Sequence, residues 1–432
     1  MGQVTYHAYA GVNLRRPTTV RGREALMGAF LLESLDNPVN GSYRLVDDLT
    51  ELVNVIALDV VLDNYGPHGL YDMTGERRET SMSSFVALHI GAGIHPKKSA
   101  YASLCKKACI AAKEVLNGGG SALDAVTAAV SILENAKHTN AGYGSNLNAE
   151  GKVQMDAALM DYSGYAAVAA VENVKNPVQL AQRLLKNRQN PLPYGRTQPN
   201  FLVGRSATEW DHGVELVEPE SLISQSALEV WQKWKEVIEH GPFNPGDLGD
   251  SGVSDTVGAV AMDLSGNLAA ACSSGGIVHK HVGRVGPAAV AGSGLWVEDN
   301  VAVVCSGNGE EILDTILASK CASRLNHMEG GVYEEEAVKQ VMERDFLGSS
   351  AIRRAKQNNQ NAGQAGMIAL KITRDEGESG LPIQAISVTW AHTTYSMGVA
   401  WLDCRSSEAQ FRMSRRGDSE GACIGGFGVS YP

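Results

Sequence analysis

The peptide bond between Asp255 and Thr256 is where this chain could do chemistry on itself. The segment before it, Asn244 to Ser254, is acidic and rich in glycine, and such a segment exposes the backbone to cleavage. Val257 to Met262 follows as a short apolar run. Thr256 therefore stands at the end of a loop and at the head of a buried strand. If the chain is cut before it, one residue carries both a hydroxyl nucleophile and a free α-amine that can act as its base. An α-amine has a reference pKa of roughly 8, so it is close to balance at neutral pH. Three other stretches could contribute polar groups. Thr139 to Asn148 is a loop dense in side-chain amides; Gly283-Arg-Val-Gly286 puts one arginine in a glycine turn; Ser306-Gly-Asn-Gly309 leads into a helix, whose N-terminus offers free N–H groups for an oxyanion hole. Each of these also has a plain structural reading as a turn.

The elements that must position these groups follow from apolar spacing. Val257 to Met262 and Leu268 to Cys272, joined through Ser265-Gly-Asn267, have the pattern of two buried strands and a tight turn. Phe85 to Ile90 reads as a strand, and Gly91-Ala-Gly93 as the turn after it, leading to a helix over Ser99 to Leu116. That turn lacks GxGxxG and GxxxxGK[ST], which argues against a nucleotide site. Gly118-Gly-Gly120 ends the helix, and Ser121 caps the next, Ala122 to Glu134, with Asp124 completing a capping-box variant. Val153 to Met160 and Ala166 to Val171 read as strands, and Asn176-Pro177 starts a helix to about Lys186. Arg196 to Val203 is a loop entering a short strand, and Ser226 to His240 an amphipathic helix carrying Trp231 and Trp234. Val301 to Cys305 is a strand, Glu310 to Arg324 a helix, and three more strands cover Met367 to Thr373, Gln384 to His392 and Ser396 to Leu402. The tail after Arg405 has little pattern. Near the N-terminus, helices fit Arg21 to Ser34 and Asp47 to Leu62, with a loop over Gly66 to Ser84. The helices fall mainly between two groups of strands, without the regular alternation of a parallel α/β sheet. The expected class is α+β, a layered sandwich of largely antiparallel sheets.

Composition narrows the function. The formal charge of -11 argues against nucleic acid or an acidic membrane surface as the main partner. The seven cysteines are scattered without CxxC or metal-ligand spacing, which suits a reducing compartment and predicts neither metal nor cofactor. No signal peptide and no bilayer-spanning stretch is recognisable. An intracellular location, cytoplasmic or nuclear, is expected, although no Lys/Arg cluster marks nuclear entry.

Several motifs in one order resemble a known family: His89-x-Gly-Ala-Gly93, Thr139 to Asn148, Met155-Asp-Ala157, Asp255 to Val260, Ser273-Ser-Gly-Gly276, Lys280 to Gly286 and Ser306 to Glu310. They look like the N-terminal threonine hydrolases of the type 2 asparaginase family, over about residues 85 to 403. Within it the likeness is strongest to the threonine aspartase (taspase) branch, through Asn146-Leu-Asn148, Phe201 to Gly204 with Trp210, Pro287-Ala-Ala289, Trp296 and His392 to Met397. The resemblance implies a four-layer αββα N-terminal-nucleophile (Ntn) hydrolase fold and a zymogen that cuts itself between Asp255 and Thr256. Residues 84–255 would form the α chain of the catalytic domain, with a flexible loop at about 241–255, and 256–432 the β chain. Residues 1–83 would be an extension of unknown role. The two chains would stay together and pair again as an αββα heterotetramer. Thr256 would be the nucleophile and its amine the base. Ser274 would hydrogen-bond it, Asn140 would support it from the α chain, and Ser306 with the Gly307 backbone would make the oxyanion hole. Gly91 would line the pocket, and Arg284 would bind a substrate carboxylate as a bidentate fork.

Asparaginase-type members hold the free α-amino group of a small substrate with an Asp directly after GRVG; here that residue is Pro287. Loss of one buried charge partner is worth a few kcal/mol in discrimination. A chain extended on its N-terminal side would then be admitted, and Arg284 could read the side chain of an internal Asp. The leading expectation is a threonine endopeptidase cutting protein substrates after Asp. Gly252-Val-Ser-Asp255 lacks the Gln and aliphatic residue that the branch prefers before Asp, which intramolecular geometry tolerates. Two other readings stay open: an amidohydrolase for small asparaginyl or isoaspartyl substrates, and a non-enzymatic interaction protein that keeps the fold uncut.

Overall fold

A computed structural model describes residues 83–95, 98–210, 213–241, 256–328, 330, 332–358, 361–374, 383–417 and 421–431, with two short strands at 70–71 and 77–78. Asp255, most of the loop 241–255 and the helices expected at 21–34 and 47–62 lie outside the described residues. The chain divides into two units, residues 1–80 and 81–432. In the first, Leu70–Tyr71 pairs antiparallel with Arg77–Arg78 where the sequence suggests only a loop.

The second unit is a sandwich of two sheets between helices. Its eight-stranded sheet runs, edge to edge, Gln410–Arg415, Ser396–Asp403, Phe85–Gly93, Val257–Met262, Leu268–Ser274, Met155–Asp161, Gly164–Val171 and Phe201–Val203. The five-stranded sheet runs Cys423–Ser430, Ile383–His392, Ala365–Arg374, Val301–Gly307 and Leu295–Glu298. Among the pairings of both sheets, only that of Gly164–Val171 with Phe201–Val203 is parallel. The expected class and layering therefore hold.

Side-chain alternation along the strands explains the layers. Val257, Ala259 and Ala261 face an outer core shared with the helices Lys98–Asn117, Ala122–Glu134 and Pro177–Asn187. Val260 and Met262 face the space between the sheets, where Ala302, Val304, Ile368 and Leu370 meet them. The alternate residues Val301, Val303, Cys305, Met367 and Ala369 face a third core under Leu317–Asn326 and Glu334–Gln340. A sheet covered on both faces needs apolar residues at every position, so Val257–Met262 is buried throughout without amphipathic alternation.

Local chemistry sets the element ends. Ser121 caps Ala122–Glu134 in a full capping box with Asp124. Asp263 holds the turn of the central hairpin by accepting the Ser265 and Asn267 N–H groups at 2.9 and 3.0 Å. Within the second unit four expectations change. Phe85–Gly93 stays a strand through the glycines taken for a turn, because the antiparallel partner Ser396–Asp403 continues alongside them. The single helix expected over 310–324 is two, Gly309–Thr315 and Leu317–Asn326, broken by a left-handed Ile316. Gly204–Trp210 is a helix that the spacing does not suggest. The tail forms two strands, Gln410–Arg415 and Cys423–Ser430. All seven cysteines are free, six of them buried. Among the described residues no helix is long and apolar enough to cross a membrane, and no cluster of His, Cys, Asp or Glu could hold a metal ion.

Candidate active site

Thr256 sits at the head of the strand Val257–Met262, between Phe85–Gly93 and Leu268–Ser274, and is 3% exposed. The hairpin register pairs Val257 with Ser273, so one step further Thr256 faces Ser274. The Thr256 hydroxyl donates to Ser274 Oγ at 3.2 Å, and the Gly276 N–H donates to the same oxygen at 3.0 Å. Ser274 thus ties the nucleophile candidate to the turn that follows its own strand.

That turn is held by the amide-rich loop. Asn140 Nδ2 and Asn146 Nδ2 both donate to the Gly276 carbonyl, at 2.7 and 2.8 Å. Asn140 Oδ1 accepts the Asn146 N–H at 2.8 Å, and the Asn140 carbonyl accepts the Gly275 N–H at 2.8 Å. Asn140 therefore acts on the Ser274–Gly276 turn, and through it on Thr256. The pairing of Asn146 with Asn140 on one carbonyl is not deducible from the sequence, although the density of amides there hinted at it.

On the other flank lies His89, paired in register with Gly258. Its Nδ1 accepts the Gly91 N–H at 3.1 Å, so the proton belongs on Nε2, which is buried and has no hydrogen-bond partner among the described residues. Burial drives the His89 pKa down to about 3, opposed in part by the Thr256 backbone, so the ring is neutral. A Cβ at position 258 would lie 2.6 Å from His89 Nε2 and 3.0 Å from Val304 Cβ, so only glycine lets the ring and the facing sheet approach here. The sequence shows His89 only as the first residue of the His89-x-Gly-Ala-Gly93 motif, and its place against Gly258 appears only in three dimensions.

The close approach of Gly258 and Val304 sets the two sheets together here, with Thr256 two residues before Gly258 and Ser306 two residues after Val304, and Ser306 reaches the end of the strand Phe85–Gly93 that flanks Val257–Met262. Ser306 is fully buried, and its Oγ accepts the Ala92 N–H at 3.1 Å. Gly307 has φ +137°, and a Cβ there would meet the Gln364 carbonyl at 2.4 Å, so the position requires glycine. Gly91, also at positive φ, is bonded to His89 as described.

Arg284 is held from below by the strand entrance Gln154–Asp156. Lys280 Nζ donates to the Gln154 carbonyl at 2.6 Å, the Gly283 N–H to Gln154 Oε1 at 3.0 Å, and the Gly286 N–H to Asp156 Oδ2 at 2.7 Å. Asp156 Oδ1 accepts the Ala170 N–H at 2.9 Å. Burial raises the Asp156 pKa, opposed by the Lys280 charge and these N–H groups. Burial lowers that of Lys280 to about 8, opposed by Asp156. The Arg284 fork is engaged with Glu310: Nε donates to Oε1 at 3.0 Å and Nη2 to Oε2 at 2.9 Å. Partial burial works against the Glu310 charge, but the Arg284 bonds outweigh it and hold the carboxyl below its usual range. Pro287 begins a buried turn directly beside this pair.

The arrangement offers a buried hydroxyl at a strand start, a second hydroxyl bonded to it, N–H and O–H groups at the ends of two facing strands, and an arginine that can bind a carboxylate. It is suited to acyl transfer.

Comparison with known proteins agrees. The sequence profile of the family described as asparaginase matches residues 82–397. An isoaspartyl peptidase/L-asparaginase of Xenopus laevis is 38% identical over 264 residues, covering 59% of this chain and 79% of the relative. One of Mus musculus is 41% identical over 235 residues, covering 53% and 67%. An N(4)-(beta-N-acetylglucosaminyl)-L-asparaginase of Elizabethkingia miricola is 30% identical over 238 residues, covering 54% and 65%. With the profile spanning most of the second unit, and the two-sheet sandwich to match, the chain belongs to the asparaginase family of N-terminal-nucleophile hydrolases.

Proposed function

We infer that this hydrolase is made as a precursor, cuts itself before Thr256, and then works as a threonine endopeptidase of the taspase kind that cleaves protein substrates after Asp. In processing, Thr256 Oγ attacks the Asp255 carbonyl carbon and the Asp255–Thr256 C–N bond breaks. The acyl group moves from N to O, and the proton moves from Oγ to the departing amine. Water then hydrolyses the ester and leaves residues 256–432 with a free threonine at the head. In turnover the α-amine accepts the Oγ proton as Oγ attacks the substrate carbonyl. It returns that proton to the leaving amine, and water releases the product. Ser274 accepts a hydrogen bond from the nucleophile, and Ser306 with the Gly307 N–H stabilises the oxyanion. Asn140 keeps the Ser274–Gly276 turn in place, Gly91 lines the pocket, and Arg284 binds the substrate carboxylate.

The observation that carries the reading is the 3.2 Å bond from Thr256 to Ser274 at a buried strand head directly after Asp255. The preference for internal Asp rests on Pro287, which supplies no carboxylate to hold a free amino group beside Arg284. A second reading, hydrolysis of small β-aspartyl substrates, is favoured by the relatives named isoaspartyl peptidase/L-asparaginase.

Intact mass and N-terminal sequencing of purified wild-type protein beside Thr256→Ala test the first step. A fragment beginning Thr-Val-Gly-Ala-Val, absent from the variant, is expected. An uncut, folded wild type after prolonged incubation would leave a fold without its chemistry. The processed enzyme is then offered peptides with an internal Asp and, separately, β-aspartyl dipeptides. Turnover of the dipeptides alone selects the second reading.

A further inference from the structure

The surroundings of Arg284 decide how a carboxylate can reach it. Its side chain is 12% exposed, whereas that of Glu310 is 57% exposed. A Cβ at Gly309 would lie 2.3 Å from Nη2, and Cβ atoms at Gly286 and Gly276 would lie 2.7 and 3.0 Å from Nη1. The Nη1 side thus backs onto main chain, with the buried Asp156 carboxylate just beyond Gly286. The edge formed by Nε and Nη2 has both of its donors taken by the half-exposed Glu310.

We propose that Glu310 is a built-in competitor of the substrate carboxylate: it occupies the Nε and Nη2 edge of Arg284 at rest and must swing out before an acidic ligand can take that edge. This rests on the reading of Arg284 as the carboxylate anchor given above. Glu310 is suited to the exchange. It lies one residue into the short helix Gly309–Thr315, so side-chain rotation alone releases it, and the helix N-terminus still favours its charge when it faces solvent. The pair is partly exposed and hence displaceable, whereas a fully buried one would not be. With Glu310 in place at rest, Arg284 is not an uncompensated, mostly buried cation. A ligand without a carboxylate brings no charge to replace Glu310, so the contact also selects for acidic ligands.

The test uses processed full-length protein and L-aspartate as the probe, with affinity read by calorimetry. Glu310→Gln removes the competing charge, and Glu310→Asp keeps the charge but is one methylene too short to reach the fork. Both variants are expected to bind L-aspartate about fivefold more tightly than wild type, the factor for displacing an ion pair worth about 1 kcal/mol. Unchanged or weaker binding by Glu310→Gln overturns the proposal, because Glu310 would then merely orient Arg284. A Glu310→Asp affinity equal to wild type also overturns it, because the effect would be one of charge and not of contact. Loss of L-aspartate binding in every protein removes the role of Arg284 and this proposal together. Tighter binding in both variants, with no cleavage of Asp-containing peptides by wild type, would leave this proposal standing and sink the endopeptidase reading.

Discussion

Thr256 and Ser274 face each other across one antiparallel hairpin, hydroxyl to hydroxyl at 3.2 Å, and the Gly276 N–H donates to the same Ser274 oxygen. Removing Ser274 Oγ therefore has two effects. Ser274→Ala is expected to slow the appearance of the Thr256 fragment about 100–1,000-fold in a mass-spectrometric time course, on the scale of losing one positioned polar group in a transition state. It also leaves a buried N–H without its acceptor, at a cost of about 1–3 kcal/mol in denaturant unfolding. Processing at the wild-type rate would take Ser274 out of the chemistry.

Asn140 and Asn146 share the Gly276 carbonyl, so their contributions are not independent. Each single alanine variant leaves the carbonyl one donor, and the double variant leaves none. The double variant is expected to be less stable than the sum of the singles by about 0.5–3 kcal/mol. Strict additivity in a double-mutant cycle on unfolding free energy would show that the two amides do not act on one acceptor.

Gly309 gives room to the Arg284 guanidinium. Alanine favours helix over glycine, so Gly309→Ala should fold, yet its Cβ would lie 2.3 Å from Nη2 and must push the fork aside. The expected outcome is a rise of about tenfold or more in KM for acidic substrates, with kcat much less affected and the melting temperature near that of wild type. An unchanged KM would mean that Arg284 does not read the substrate.

Three buried histidines are expected to weaken the fold towards acid pH, opposed in part by Glu134, whose carboxyl burial pushes up to about 7. Burial lowers His89 to about 3 and His95 and His392 to about 4. In the unfolded chain they protonate near pH 6.5, while in the folded chain they stay neutral. Their contribution is thus complete above about pH 6.5 and is lost as the pH falls towards 4. Each adds up to about 1.4 kcal/mol per pH unit of slope in that window. Unfolding free energy measured between pH 7 and 4 should fall steeply, and His392→Gln should flatten the slope by about one such increment. A flat wild-type profile would contradict this.

How much of this was legible in the sequence depends on the distance between partners along the chain. The turn Ser265-Gly-Asn267 between two apolar runs specifies a hairpin, and its register carries Thr256 to Ser274 within one local element. The capping box at Ser121, the Pro177 helix start and the α+β layering were readable for the same reason, since spacing and end chemistry act between near neighbours. The tail strand Cys423–Ser430 was not legible. Its glycines look like a loop but serve close approach, as a Cβ at Gly425 would meet the Trp390 ring at 2.5 Å.

The sequence by itself determined the nucleophile candidate and the strand that bears it, because a short hairpin pattern contains both, and it marked Ser274 only through the family resemblance. Tertiary structure alone decided the rest. It hung the Ser274–Gly276 turn on Asn140 and Asn146, set His89 over Gly258, and brought Ser306 to the Thr256 end of the sheets. It also gave the Arg284 fork to Glu310. Those pairings join segments far apart in the chain, and they form only where two sheets and their covering helices fix one packing. No local periodicity encodes them.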